Sequence, residues 1–147
     1  MSNRNKIVVL TALSDRNLIE ALKQRRVKLA QLIKHPVILW SGNFVGRNFP
    51  ANKLPFRASS HFLYFAGIPL NNAAIRLSVG ELELFIDNPP AEATLWHGAA
   101  PSREQIGAMI GADRAYPLAE LASKTADAAT IASQDLATYQ QQCQLLN

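Results

Sequence analysis

Hydrophobic and polar positions along the chain mark out a short series of elements. Ile7–Leu10 reads as a strand or a lead-in segment. Ser14 or Asp15 is suited to cap a helix. Beyond it Leu18, Ala21, Leu22, Leu29, Leu32 and Ile33 fall on one helical stripe, with Lys23, Gln24, Lys28, Gln31 and Lys34 opposite. Arg25 sits within the stripe and Arg26 at its edge, where long stems can pack while the charges reach out. Pro36 ends this helix. Val37–Trp40 predicts a short buried strand, followed by a polar loop with Gly46, Asn48, Pro50, Asn52 and Pro55.

His61–Ala66 is apolar on both alternating faces, with Phe62 and Tyr64 on one and Leu63 and Phe65 on the other. That pattern predicts a central strand covered on both sides. Ile75, Leu77 and Val79, then Leu82, Leu84 and Ile86, alternate around Gly80 and predict an antiparallel hairpin near the sheet edge. Asn88-Pro89-Pro90 stops its second strand, and Leu95–Gly98 reads as a brief return. Ser102 and Gln105 form a capping box for a short helix that ends at Gly111. Pro117–Leu121 starts another helical turn. From Thr125 the Ala- and Gln-rich tail predicts a helix with a narrow stripe of Ala128, Ala132, Leu136, Tyr139, Cys143 and Leu146. The element order predicts a three-layer α/β/α arrangement with a mixed sheet.

The length of 147 residues suits one domain, and 48% hydrophobic residues suits a globular one. No apolar run approaches the roughly 20 residues of a membrane-spanning helix. The single cysteine, Cys143, excludes an intrachain disulfide and a thiolate cluster, and a cytoplasmic location is expected. The net charge of +4 is unevenly distributed: residues 1–60 carry eleven Lys/Arg against two Asp/Glu, and residues 61–147 four against nine. Three readings follow: a solvated basic surface, a face that docks on an acidic neighbour, or a nucleic-acid surface, with Trp40, Phe44 and Phe49 close by.

Catalytic patterns are missing. His35, His61 and His97 stand in no metal-ligand spacing, and Asp87, after a strand, has no carboxylate partner in sight. There is no GxSxG elbow and no phosphate loop. Cys143 on the tail helix reads as a buried structural thiol.

Between Gly42 and Gly67 the chain carries Arg47-Asn48, then Pro55-Phe56-Arg57, then Ser59-Ser60-His61-Phe62-Leu63-Tyr64-Phe65-Ala66-Gly67. Trp96-His97-Gly98, Gly111-Ala112-Asp113 and Tyr116-Pro117-Leu118 follow in phase, and Arg25-Arg26-x2-Leu29-x2-Leu32 precedes. This order and spacing resembles the N-terminal domain of aminopeptidase P, in the creatinase and prolidase superfamily, over about residues 22–122.

The resemblance implies a ribonuclease-H-like mixed sheet of the creatinase N-terminal type. It implies a lead-in over 1–14, a domain over 15–124, and a helix over 125–147 leading toward a C-terminal peptidase domain. That second domain would hold two divalent metals, manganese by expectation, and remove an N-terminal residue that precedes proline. The chain itself would be non-catalytic and hold no metal. Its partners would be the peptidase domain, other copies in a homo-oligomer and a peptide with proline second. A basic nucleic-acid module and a self-associating scaffold stand as alternatives. The implied cleft or interface positions are Arg57, Ser60, His61 and Tyr64, with Trp96 and His97 from the second motif; Phe62 also matches. By residue type alone Phe62 and Tyr64 read as core, Arg57 as a loop anchor or a cleft residue, Trp96 as a buried layer residue or an interface anchor, and His97 as a partly exposed hydrogen-bonding residue. His61 stands where the family has an acid, which would weaken any grip on a substrate ammonium.

Overall fold

The computed structural model describes residues 16–90, 92 and 98–146. The expectations for Ile7–Leu10, for the Ser14 or Asp15 cap and for a strand at Leu95 lie outside the described residues. Helix α1, Arg16–Ala30, buries Leu22 and Arg26. It ends in a turn in which the Leu32 and Ile33 amides both donate to the Leu29 carbonyl. Leu32 therefore leaves the expected stripe and is 81% exposed.

Strands β1 (Val37–Trp40), β2 (Ala74–Ser78), β3 (Glu81–Phe85) and β4 (Arg114–Tyr116) form one sheet in the order β1-β2-β3-β4. The first two pairings are antiparallel and β3–β4 is parallel, so the sheet is mixed. The hairpin forms as its alternation predicts. Val79 and Gly80 both have positive φ, as a tight hairpin turn needs. Its two strands occupy the middle of the sheet rather than its edge. The three-residue β4, too short to show a periodicity, covers the far side of β3.

Ser60–Ala66 is a helix, α2, and not the expected central strand. A six-residue apolar run has the same appearance in a buried strand and a buried helix. Here Gly67 decides: it takes the left-handed conformation at φ 77° and its amide closes the helix on the Leu63 carbonyl. Phe62 and Ala66 point inward one turn apart, while Tyr64 points out and is 53% exposed.

Register assigns the two faces of the sheet. Leu39, Ile75 and Leu84 share one row on the face that helices α1, α2 and α3 (Arg103–Met109) cover. Phe62, Ile106 and Ile110 join them in the main core. Trp40, Ala74 and Phe85 share a row on the opposite face, where Leu121 of a 3-10 helix (Leu118–Lys124) and the end of helix α4 (Leu136–Leu145) pack. The next row on that face is ionic. Arg76 and Lys124 both reach the buried carboxylate of Glu83, at 3.0 and 3.4 Å.

The Ser102 capping box opens α3 as expected, with both reciprocal hydrogen bonds in place. The tail departs from expectation. Residues 125–135 are not helical: Ala129 accepts from the Ile38 amide and donates to the Pro36 carbonyl, extending the sheet beyond β1. Edge amides and carbonyls of β1 that would otherwise lack partners outweigh the modest helix preference of the alanines. Helix α4 buries Thr138 and Gln142, and Cys143 is exposed rather than a buried thiol.

Candidate functional site

Where β1 ends, the chain is fixed by a dense set of polar contacts. The Ser41 amide and hydroxyl both donate to the Ala73 carbonyl, and the hydroxyl accepts from the Ala73 amide. The Ser59 amide donates to the Ser41 carbonyl and the Ser59 hydroxyl to that of Trp40. These bonds hold the start of α2 beside the end of β1. Gly42, at φ 94°, a conformation that residues with a side chain rarely adopt, then turns the chain outward.

The segment beyond Gly42 is a small hairpin, not a featureless polar loop. Gly46 pairs with Lys53, the Arg47 amide donates to Asn52 and the Leu54 amide to Val45. The rings of Phe44 and Phe56 meet at 5.3 Å, and the Lys53 ammonium lies over Phe44. On the other side, Asp135 caps α4 through the Thr138 amide at 3.0 Å and accepts from the Ser133 hydroxyl at 3.1 Å. Partial burial works against its charge, but the hydrogen bonds from Thr138, Ser133 and the Asn43 backbone outweigh it. The Asp135 carboxyl is held below its ordinary value.

Between hairpin, α2 and tail lies a groove of about 960 Å³. Arg57, Ser60 and His61 all line it, so three of the residues singled out in the sequence meet here. The Arg57 guanidinium is exposed and makes no hydrogen bond or ion pair within the described residues. It does not anchor the loop. Tyr64 is elsewhere: its ring lies under the Arg25 guanidinium at 4.4 Å, and its carbonyl accepts from the same group. Phe62 is core. Trp96 and His97 lie outside the described residues.

The groove also has walls that sequence reasoning did not single out: Ser41, Asn43, and the tail from Ile131 to Ala137. Asn43 ties the two sides together by donating to the Thr138 hydroxyl at 3.2 Å. The Asp135-Leu136 step, an acid before a helix start, was the one local signal for that wall.

Several motif residues turn out to hold the fold. Arg26, 2% exposed, donates to the carbonyls of Ile110, Gly111 and Phe65, and so ties the ends of α2 and α3 to α1. Burial lowers its pKa to about 10 against the pull of Asp113, which leaves it charged at neutral pH. Gly111 sits against α1 so closely that a Cβ would come within 2.6 Å of Ile19. Asp87 accepts from the Leu118 amide and Asp113 from the Leu82 amide. Among the described residues, no three His, Cys, Asp or Glu side chains gather to hold a metal ion. No described helix is long and apolar enough to cross a membrane.

Residues 22–137 match the model of the aminopeptidase P N-terminal domain. Among solved structures, a single-residue alanine variant of Escherichia coli aminopeptidase P aligns over 87% of this chain and 32% of its own, at 19% identity and TM-score 0.71. The E. coli enzyme with the inhibitor Pro-Leu aligns over 86% and 33%, at 16% identity and TM-score 0.68. Its low-pH form aligns over 72% and 26%, at 21% identity and TM-score 0.63. The chain thus spans about a quarter to a third of the length of these structures. No curated protein matches significantly. The α/β fold is that of the aminopeptidase P N-terminal region, and the chain belongs to the aminopeptidase P N-terminal domain family.

Proposed function

We propose that this chain is the non-catalytic N-terminal domain of an Xaa-Pro aminopeptidase-like metallopeptidase. In this role it works with a C-terminal peptidase domain that removes an N-terminal residue followed by proline. The divalent metals, manganese by expectation, belong to that domain. The groove lined by Arg57, Ser60 and His61 forms part of the cleft wall, neighbouring surfaces carry oligomer contacts, and the protein acts in the cytoplasm. The single observation that supports this most is the family match over residues 22–137.

His61 limits what the wall does. An imidazole side chain supplies no fixed negative charge. With Arg57 beside it, the wall suits a substrate carbonyl or carboxylate better than a substrate ammonium. The chain alone, given Mn²⁺ and a peptide with proline second, is expected to give no cleavage. Added to a separately produced aminopeptidase P peptidase domain, it is expected to raise proline-dependent turnover. Cleavage by the chain alone, or no effect in the mixture, would refute the reading.

A further inference from the structure

Exposed apolar side chains are concentrated around the groove. Phe44, Val45, Phe49 and Leu54 stand out on the hairpin, and Ile131 and Leu136 on the tail opposite. Leu136 is 69% exposed and Phe49 58%. Four of these six line the groove itself. A clustered apolar patch on a hydrogen-bonded hairpin marks a contact surface rather than incidental exposure.

The charges around it are one-sided. Arg57 lines the groove, and Arg47 and Lys53 are exposed on the hairpin. Among the described residues the one carboxylate in the lining, Asp135, is already bonded through both oxygens, to Thr138 and Ser133. A complement to this surface carries aliphatic side chains interspersed with carboxylates.

We propose that the groove docks an acidic, aliphatic-rich polypeptide segment supplied by another chain. Nucleic acid suits it less well. Bases stack on open aromatic faces, whereas Phe44 already has Phe56 at its ring and Lys53 above it, and Trp40 in the lining is buried. The proposal rests on reading the groove as a contact face of an accessory domain, and it names the chemistry of what sits there.

The test uses the whole 147-residue chain, labelled for backbone amide NMR. It is titrated to millimolar concentration with a peptide alternating Leu and Glu, its Leu-Gln counterpart, its Leu-Lys counterpart and a single-stranded oligonucleotide. The acidic peptide is expected to shift Phe44, Arg57 and Ile131, with the neutral counterpart about tenfold weaker, as several rim charges together allow. The double variant Arg47→Glu, Arg57→Glu is expected to lose that preference and to bind the Leu-Lys peptide instead. Both positions are exposed, so folding is preserved, as circular dichroism checks. Equal binding of acidic and neutral peptides, no shifts at the groove, tighter binding of the oligonucleotide, or self-association that closes the groove would each overturn the proposal. The peptidase mixing experiment is independent: enhancement there with no peptide preference here sinks this inference and leaves the accessory-domain reading standing.

Discussion

Arg26 and Arg57 set two regions of the molecule side by side. The Arg26 side chain is enclosed beneath its own helix α1 and donates to three carbonyls, one in α2 and two just past the end of α3. Arg57 stands in an open groove with no partner among the described residues. Apolar groups divide the same way. Phe62, Ile75 and Leu84 are fully enclosed, while Phe44, Val45 and Leu136 are left in contact with water. Enclosed groups contribute to stability in proportion to what they bury. Groups left exposed in a cluster, at some cost to solubility, imply a contact made elsewhere. Removing side chains from each region should therefore separate folding from binding.

The largest expected effect is in the helix-covered face. Phe62→Ala leaves a cavity at the centre of the main core, where Phe62 is 0% exposed. It should destabilise the chain by about 3–5 kcal/mol in urea unfolding. A loss under about 1 kcal/mol would mean that α2 does not pack as described.

Next comes Arg26→Leu, which leaves the Ile110, Gly111 and Phe65 carbonyls without their donor. A cost of about 2–4 kcal/mol is expected, from losing several charge-assisted bonds at once. Arg26→Lys should recover only part, because one ammonium cannot reproduce a planar fork spanning two helix ends. Arg25→Ala, on an exposed ring contact, should cost under about 1 kcal/mol. If the neighbouring arginines prove equal, the clamp is not what holds α2 and α3 to α1.

That pair of arginines also shows where sequence reasoning ends. The helical stripe placed Arg25 within the apolar face and Arg26 at its edge, yet Arg26 is the enclosed one. Its acceptors arrive from residues 65, 110 and 111, which no local pattern reveals. The β2–β3 hairpin and the Ser102 capping box were legible because each is specified by neighbours in sequence. The family-like string was legible as a string, but its division of labour was not. Ser59 and Gly67 hold α2 in place, Arg57 faces the groove, and Tyr64 faces α1. Reading Ser60–Ala66 as a strand and 125–135 as a helix failed for opposite reasons. The first lacked a periodicity long enough to discriminate. The second followed a propensity that tertiary pairing along β1 overrides. Of the tail wall of the groove, only the acid at the start of α4 left a local signal.

Asp135 tests that wall with a smaller effect. Asp135→Ala removes the cap of α4 and should cost about 1 kcal/mol. The wild-type contribution is also pH-dependent. Its folded pKa lies below the ordinary value of 3.8, so the charged form is favoured in the folded state. The stabilisation is whole above the ordinary value and is lost as pH falls through the lower folded one. Asp135→Asn keeps a capping acceptor and should lose little stability at neutral pH, while abolishing that acid-side dependence. An unchanged acid limb in the Asn variant would show that the carboxylate is not held as described.

The smallest effect on folding should be the most telling about function. Arg57 is exposed and has no partner among the described residues, so Arg57→Ala should leave unfolding within about 0.5 kcal/mol of wild type. The same change removes the only arginine among the described residues that line the groove. It should therefore weaken the enhancement of a peptidase domain, and Arg57→Lys should restore it in part, since a point charge survives where a planar fork does not. A variant that folds normally but fails to assist peptide cleavage would place Arg57 on the contact side of the comparison with Arg26. Lost stability would instead mean that its guanidinium braces the hairpin, and the two arginines would differ only in degree.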